Sequence, residues 1–176
     1  NDYLGLTNHP KVTEASKRAV DQFACGLGSS RPQATTTAHV ELEERLAQWF
    51  GFEKCLLFTT GYQANLATIS GLAGPDDVIL ADADNHASIW DGTKLSPAET
   101  VAFRHNDPDH LDRRLTRLAG KGGAKLVIVE GLYSMLGDTA PLKEFVEVKK
   151  KHGAWLLVDE AHSFGVYGEH GRGVAE

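Results

Sequence analysis

An apolar strand that ends in polar residues is predicted at 154–163, AWLLVDEAHS. Its first five residues suit a buried strand, and Asp159, Glu160 and His162 come next. Two kinds of site end a strand in this way. In one, the acidic pair holds Mg²⁺ and a nucleotide, as in a DEAH-type helicase. In the other, the aspartate and the histidine bind a flat organic cofactor, and the rest of the chain distinguishes the two.

Helices and strands alternate on the amino-terminal side of this stretch. Apolar runs predict strands at 54–58, 77–81, 100–103, 125–130 and 154–159, and amphipathic patterns predict helices at 39–51, 61–74, 107–120 and 141–153. Gly51 and Gly153 fit helix ends, and Pro141 fits a first helical turn. Near-continuous apolar strands separated by helices indicate an α/β domain with a mostly parallel sheet covered by helices.

The composition excludes several classes of protein. The chain has 176 residues, 41% of them hydrophobic, and a formal net charge of −6, which suits one α/β domain or a large part of one. A nucleic-acid partner is not expected, because the only basic run, KKK at 149–151, lies on a predicted solvated helix face. Cys25 and Cys55 are too few for a disulfide framework, and no apolar run reaches membrane-spanning length. We expect a soluble, cytoplasmic protein.

The nucleotide interpretation lacks its phosphate loop. A DEAH-type ATPase needs a G-x-x-x-x-G-K-[ST] loop, and the chain contains none. GKGG at 120–123 lacks the spacing and the hydroxyl residue, and it fits a turn between a helix and a strand. The flat cofactor is therefore the better interpretation.

The residues that follow the strands suit pyridoxal 5′-phosphate (PLP). Ligands of parallel α/β sheets bind beyond the carboxyl ends of the strands. A carboxylate there, Asp159, keeps the pyridine nitrogen of PLP protonated, and His162 reaches the phenolic oxygen. Taken singly, a turn aspartate and a surface histidine explain these two residues equally well.

Two further stretches strengthen the PLP interpretation. In TTGYQAN (59–65), Thr60, Gly61 and Tyr62 open a helix whose free N–H groups suit a phosphate, although an ordinary helix cap explains them too. In DADNHAS (82–88), His86 follows a strand and could lie on the face of a flat ring. Three such signals at successive strand ends point to one site.

The motifs together resemble the α-oxoamine synthases, a family of fold-type-I PLP-dependent transferases (aspartate aminotransferase-like). The resemblance runs along the whole chain through these segments: NDYLGL, GLGSSR, LLFTTGYQAN, DADNHASIWDG, FRHND, EGLYSMLGDTAPL and VDEAHSFGVYGEHGRG. It implies a large domain of that fold and an enzyme that condenses an amino acid with an acyl-CoA thioester and releases CO₂. No metal is implied.

The resemblance also assigns roles to residues. It implies that His86 stacks on the pyridine ring and helps to orient the substrate carboxylate. Asp159 matches the partner of the ring nitrogen, and His162 matches the partner of the phenolic oxygen. Gly61 and Tyr62 match positions on the phosphate side.

Three more residues lie in motifs near the cofactor or the substrate. Ser134 and Ser163 match positions close to the cofactor. Tyr3 matches a residue near the active site of the neighbouring subunit, because the family forms homodimers with shared sites. A homodimer is therefore implied for this protein.

Within the family, the motifs are most like those of members that use L-serine and palmitoyl-CoA. Those members make 3-ketodihydrosphingosine, the first intermediate of sphingolipid biosynthesis. The second possibility is the members that use alanine and a pimeloyl thioester; their motif reads FSMDGD where residues 133–138 read YSMLGD. Selection among serine, alanine and glycine stays open, as does contact with a membrane surface, since the serine-derived product is lipid-like.

The chain departs from the family pattern in two places. The lysine that carries PLP in the family lies beyond the GRG motif, so we expect 1–176 to be the amino-terminal part of a longer protein, mostly its PLP-binding large domain. None of the lysines at 94, 121, 125 and 143 matches that position. The segment PQATTT (32–37) carries Ala34 or Thr35 where the family has a glycine, which predicts a rebuilt loop.

Two other functions remain as alternatives. Some partner subunits of this family have lost the catalytic groups and act as scaffolds, but they tend to lose the ring-stacking histidine that this chain retains as His86. A fold-type-I aminotransferase is the other alternative, and it would release a keto acid instead of CO₂.

Overall fold

The computed structural model describes residues 1–176 and divides them into two compact units, 1–57 and 58–176. The first unit contains two helices, α1 (Pro10–Phe23) and α2 (Thr37–Phe50). The second alternates helices and strands: α3 (Gly61–Leu72), β1 (Val78–Asp82), α4 (Ala87–Leu95), β2 (Glu99–Phe103), α5 (Pro108–Arg117), β3 (Lys125–Glu130), α6 (Leu142–Lys151) and β4 (Trp155–Asp159). None of the helices is long and apolar enough to span a bilayer.

The second unit contains one parallel sheet with the strand order β2-β1-β3-β4. Glu130 pairs with Asp159, and these two residues end β3 and β4. Asp82 ends β1. The register therefore brings three carboxylates to the same edge of the sheet, which is where ligands of such sheets bind.

The core lies on both faces of the sheet because β1 and β3 are buried on both sides. Successive strand residues point to opposite faces. One face packs against α5 and α6 through Leu111, Leu115 and Phe145, and the other packs against α3 and α4 through Ile69 and Ile89. A fully buried side chain of this size contributes about 1.5–3 kcal/mol, so these five residues fix the helices on the sheet.

Most of the predicted elements are confirmed, with ends shifted by a few residues. The strand predicted at 54–58 is wrong. No strand pairs with this segment, and the Leu57 N–H donates instead to the Glu43 carboxylate, with an N–Oε1 distance of 2.8 Å. Helices α1 and α4 were not predicted. α1 buries no residue, and α4 contains Gly92 and Thr93, which are weak helix formers.

The first unit is held together by a carboxylate on α2. Glu43 pairs with Arg31 at 2.7 Å, and Arg31 also donates to the Leu57 carbonyl. The hydrogen bonds from Arg31 and from the Leu57 N–H lower the pKa of Glu43 to about 2. Ala34 and Thr35 in the neighbouring loop have negative φ, so the backbone there does not require the family glycine.

Helix α4 lies close to α3 at Gly92. A Cβ atom on this glycine would lie 3.0 Å from Ile69 Cδ1 and 3.2 Å from the Asn65 carbonyl oxygen. Gly71, on α3, would carry a Cβ with no atom within 4 Å. A glycine at position 92 is therefore needed for the close approach of α3 and α4.

We predict that Gly92→Ala destabilises the protein relative to Gly71→Ala. Overpacking costs about 1–3 kcal/mol, whereas Gly71→Ala gains up to about 1 kcal/mol of helix propensity at an open position. Urea unfolding of the two variants of the full-length protein gives the difference. Equal free energies of unfolding would show that α3 and α4 do not need the close approach.

Candidate active site

A small cavity of about 100 Å³ opens at the carboxyl edge of the sheet. It lies between the first turns of α3 and α4 and the ends of β3 and β4. Five of the residues predicted from the sequence line it: Gly61, Tyr62, His86, Asp159 and His162. The four other lining residues are Asn65, Ser88, Glu130 and Ala161.

Asp159 ends β4 and is fixed by two hydrogen bonds. Its Oδ2 accepts from Asn65 Nδ2 at 2.7 Å, and its Oδ1 accepts from the Ala161 N–H at 2.9 Å. Both oxygens therefore have a set orientation. A carboxylate held in this way at the cavity wall suits a protonated nitrogen, because an opposite charge nearby favours the charged form of a ligand base.

The first turn of α3 is suited to an anion. The Thr60 hydroxyl caps the helix by accepting from the Gln63 N–H at 3.0 Å. The N–H groups of Gly61 and Tyr62 donate to no group of the chain, and the space beside Gly61 Cα is open. Two free N–H groups at the positive end of a helix dipole form an anion site. Thr60 itself is occupied with the cap.

His86 lies at the start of α4 and faces the cavity. Its ring is 6.3 Å from the Tyr62 ring, centroid to centroid, with the planes 82° apart. The Tyr62 hydroxyl donates to Asp91, and this hydrogen bond raises the pKa of Tyr62. The backbone N–H of His86 donates to the Glu130 carboxylate.

Glu130 is the lining residue that sequence reasoning missed most clearly. Only 2% of it is exposed, and burial raises the pKa of its carboxyl group against the lowering effect of the hydrogen bond from the His86 N–H. A signal for it was present, because Glu130 ends a predicted strand next to the one that ends in Asp159. In the structure, the Glu130 carboxylate holds the backbone of His86 in place by accepting its N–H.

Thr60 and three other predicted residues, Ser163, Ser134 and Tyr3, lie outside the cavity lining. Ser163 is fully buried and donates to Glu160. Ser134 is exposed in the turn after β3. Tyr3 belongs to the first unit, is 53% exposed, and accepts a hydrogen bond from Asn1. The roles of these three residues in the reaction stay predictions.

The groups around the cavity fit PLP. The ligand carries a basic ring nitrogen, a phenolic oxygen and a phosphate on a flat ring. The cavity offers a fixed carboxylate, an anion site on a helix N-terminus, and the two imidazoles of His86 and His162. The ring nitrogen, the phenolic oxygen and the phosphate of PLP therefore each have a chemically matched partner at this edge of the sheet.

The family assignment comes from comparison with known proteins. The model of the family "Aminotransferase class I and II" matches residues 1–175. The chain belongs to this family. The fold class predicted from the sequence, a fold-type-I PLP-dependent transferase, is thereby confirmed, in agreement with the parallel sheet and its covering helices.

The most similar curated relatives include two serine palmitoyltransferases. The one from Caulobacter vibrioides is 51% identical over 100% of this chain and 44% of its own length, and the one from Sphingomonas paucimobilis is 52% identical over 99% and 42%. An 8-amino-7-oxononanoate synthase from Salmonella paratyphi B is 47% identical over 98% and 45%. The chain thus spans less than half the length of these relatives.

Solved structures give the same order of similarity. A serine palmitoyltransferase variant from S. paucimobilis, solved with PLP and myriocin bound, has a TM-score of 0.96 at 52% identity over 99% of this chain and 44% of that one. The Sphingomonas wittichii enzyme has a TM-score of 0.94 at 53% identity over 98% and 43%. The 8-amino-7-oxononanoate synthase of Francisella tularensis follows with 0.77 at 31% identity over 98% and 47%.

Proposed function

We propose that the chain is the cofactor-binding part of a PLP-dependent acyltransferase. The full-length protein would condense L-serine with a long-chain acyl-CoA, palmitoyl-CoA, to give 3-ketodihydrosphingosine, CoA and CO₂, the first step of sphingolipid biosynthesis. The observation that carries the proposal is the position of Asp159, fixed at the end of β4 in one cavity with His86 and the open first turn of α3. The identity of 51–52% to serine palmitoyltransferases supports the choice of substrates.

Different residues of this chain would bind different parts of PLP. Asp159 would hold the proton on the ring nitrogen, and the N–H groups of Gly61 and Tyr62 would bind the phosphate. His162 would donate to the phenolic oxygen, and His86 would cover one face of the ring and orient the amino-acid carboxylate. When bound, PLP supplies the electron sink that stabilises negative charge on the substrate Cα.

The lysine that carries PLP comes, in this proposal, from residues that follow 176. Three of the four lysines at 94, 121, 125 and 143 have other partners: Lys94 pairs with Asp91, Lys121 pairs with Glu99, and Lys125 donates to backbone carbonyls. Lys143 lies on α6, and none of the four lines the cavity.

The proposal also covers the assembly and location of the protein. The full-length protein would be a cytoplasmic homodimer with sites shared between subunits, and Tyr3 would contribute to the site of the neighbouring subunit. It would contact a membrane surface where the lipid-like product leaves.

A spectral titration of the full-length protein tests the choice of substrate. We expect the visible absorption band of bound PLP to shift and saturate at a lower concentration of L-serine than of L-alanine or glycine. Palmitoyl-CoA should then yield 3-ketodihydrosphingosine and CO₂ by mass spectrometry.

Each other outcome identifies an alternative. The strongest response to L-alanine, with condensation to a pimeloyl thioester, would favour 8-amino-7-oxononanoate synthase, which the 47% identity supports as the second candidate. Release of a keto acid without CO₂ would favour an aminotransferase. A protein that binds no PLP would favour the scaffold subunit.

A further inference from the structure

A continuous chain of hydrogen bonds connects the two sides of the cavity. Asn65, on α3, donates through Nδ2 to Asp159 Oδ2 at 2.7 Å and to Ser88 Oγ at 2.9 Å. Ser88, on α4, places Oγ 2.8 Å from His86 Nδ1. The carboxylate predicted for the ring nitrogen and the imidazole predicted for the ring face are therefore joined through two side chains that have no assigned role.

The chemistry of the donors and acceptors fixes the direction of each of these hydrogen bonds. The Asn65 amide must point its nitrogen at Asp159, because its oxygen would repel the carboxylate. The same nitrogen donates to Ser88 Oγ, so the hydroxyl proton of Ser88 is available for His86 Nδ1. The Ser88 backbone N–H also points at Nδ1, at 3.2 Å. Two donors meet there, so Nδ1 of the neutral ring is an acceptor.

We propose that Asn65 and Ser88 are positioning residues for the reaction. Ser88 holds the proton of neutral His86 on Nε2, so that the ring presents an N–H donor on its free side. Asn65 orients the Asp159 carboxylate towards the ring nitrogen. The part that concerns turnover rests on the proposed function, whereas the tautomer of His86 is a property of the chain itself.

The burial of Ser88 adds to the inference. Ser88 is 1% exposed, and a buried hydroxyl that donates to no partner costs free energy. Its neighbours provide a donor, Asn65 Nδ2, and an acceptor, His86 Nδ1, so the hydroxyl is satisfied in both capacities only in this arrangement. With the hydrogen bonds in this direction, neither the Ser88 hydroxyl nor His86 Nδ1 is left unpaired.

Nitrogen NMR of the full-length protein without PLP tests the role of Ser88. With ¹⁵N-labelled histidine, and with His86→Gln to assign the signal, the neutral ring of His86 should carry its proton on Nε2. Ser88→Ala should introduce a measurable fraction of the Nδ1–H form, and Ser88→Thr, which keeps a hydroxyl, should restore the original state. Ser70→Ala is the matched control, because Ser70 Oγ on α3 donates only to the Leu66 carbonyl. An Nδ1–H ring in the unaltered protein, or a Ser88→Ala spectrum identical to that of the control, would overturn the inference.

A pair of cofactors tests the role of Asn65. Asn65→Ala should weaken PLP binding about tenfold, since a hydrogen bond to a charged group is lost. The same variant should bind 1-deazapyridoxal phosphate, which lacks the ring nitrogen, as the unaltered protein does. Equal weakening for both cofactors would mean that Asn65 only supports the structure, and unchanged PLP affinity would exclude it as a positioning residue.

The two tests also separate this inference from the proposed function. If the tautomer is as expected but PLP does not bind, the proposed function is wrong and the role of Ser88 stands. If PLP binds and serine is consumed but His86 keeps its tautomer in Ser88→Ala, the proposed function stands and the role of Ser88 is wrong.

Discussion

Replacing Asp159 with Asn should lower the turnover of the full-length protein about a thousandfold. The neutral amide removes the negative charge beside the ring nitrogen of PLP. Neighbouring opposite charges near a protein surface interact by about 4 kcal/mol, and this free energy corresponds to about three orders of magnitude in rate. The fold should survive, because an Asn side-chain oxygen can still accept from the Ala161 N–H, as Asp159 Oδ1 does, and only the hydrogen bond from Asn65 Nδ2 to Oδ2 is lost.

The measurement is the rate of 3-ketodihydrosphingosine formation at saturating L-serine and palmitoyl-CoA, together with circular dichroism to verify the fold. Asp109→Asn makes the same chemical change at an exposed position on α5, and it should retain full activity. An Asp159→Asn variant with nearly unaltered turnover would remove Asp159 from the cofactor site.

The second large effect concerns stability, and it arises from a buried ion cluster beside the sheet. Asp82 has no exposed surface, and its oxygens accept from His105 Nδ1 at 2.9 Å and from the Asn106 N–H at 2.9 Å. The other ring nitrogen of His105 lies 2.9 Å from Asp138. The imidazole is therefore held between two carboxylates, and the edge of its ring faces Tyr133.

We predict that Asp82→Asn lowers the free energy of unfolding by about 3–5 kcal/mol, the usual cost of breaking a buried ion pair by removing one partner. The amide nitrogen would face a backbone or imidazole donor, since all the neighbours of Asp82 donate to it. Urea unfolding of the full-length protein gives the value. Asp84→Asn, at a half-exposed neighbour 3.7 Å from His105, should cost less than about 1 kcal/mol. Equal losses of unfolding free energy in the two variants would show that the buried pair of Asp82 and His105 does not stabilise the fold.

The same cluster predicts how stability depends on pH. Burial alone would lower the pKa of His105, but its hydrogen bonds to Asp138 and Asp82 outweigh burial and raise the pKa above 6.5. A raised pKa in the folded state stabilises the protein fully below pH 6.5 and loses this contribution as the pH rises through the folded-state pKa.

Urea unfolding over a pH series checks this dependence in the unaltered protein and in His105→Gln. The charged or titratable groups that face His105 are Asp82, Asp84, Asp138 and Tyr133. The unaltered protein should lose stability above pH 6.5 more steeply than the variant does. Parallel pH profiles would contradict a charged His105.

The sheet was predictable because buried parallel strands are continuous apolar runs, as in KLVIVE and AWLLVD. The same reasoning failed at KCLLF (54–58), where the apolar run is present but no neighbouring strand pairs with it. Sequence pattern reports the apolar character of a segment and not its pairing partner. Helix α1 was missed for the related reason that it buries no residue.

The site was predictable where a residue that carries reactive chemistry ends a strand, as Asp159 does, or lies in the turn that follows one, as His86 does. Asn65 and Ser88 were not predictable, because their importance comes from contacts between distant parts of the chain. Asn65 contacts a residue 94 positions away and Ser88 contacts one 23 positions away, and no local pattern encodes those distances. Sequence thus indicated the groups that would touch the cofactor, and the structure added the groups that orient them.

A crystal structure of the full-length protein with PLP is the most direct measurement. We expect a distance of about 2.7–3.2 Å between an Asp159 carboxylate oxygen and the ring nitrogen, as in an ordinary hydrogen bond. The phosphate should lie against the N–H groups of Gly61 and Tyr62, with His86 over the ring. A PLP molecule bound elsewhere, or one whose ring nitrogen faces away from Asp159, would contradict the proposed site.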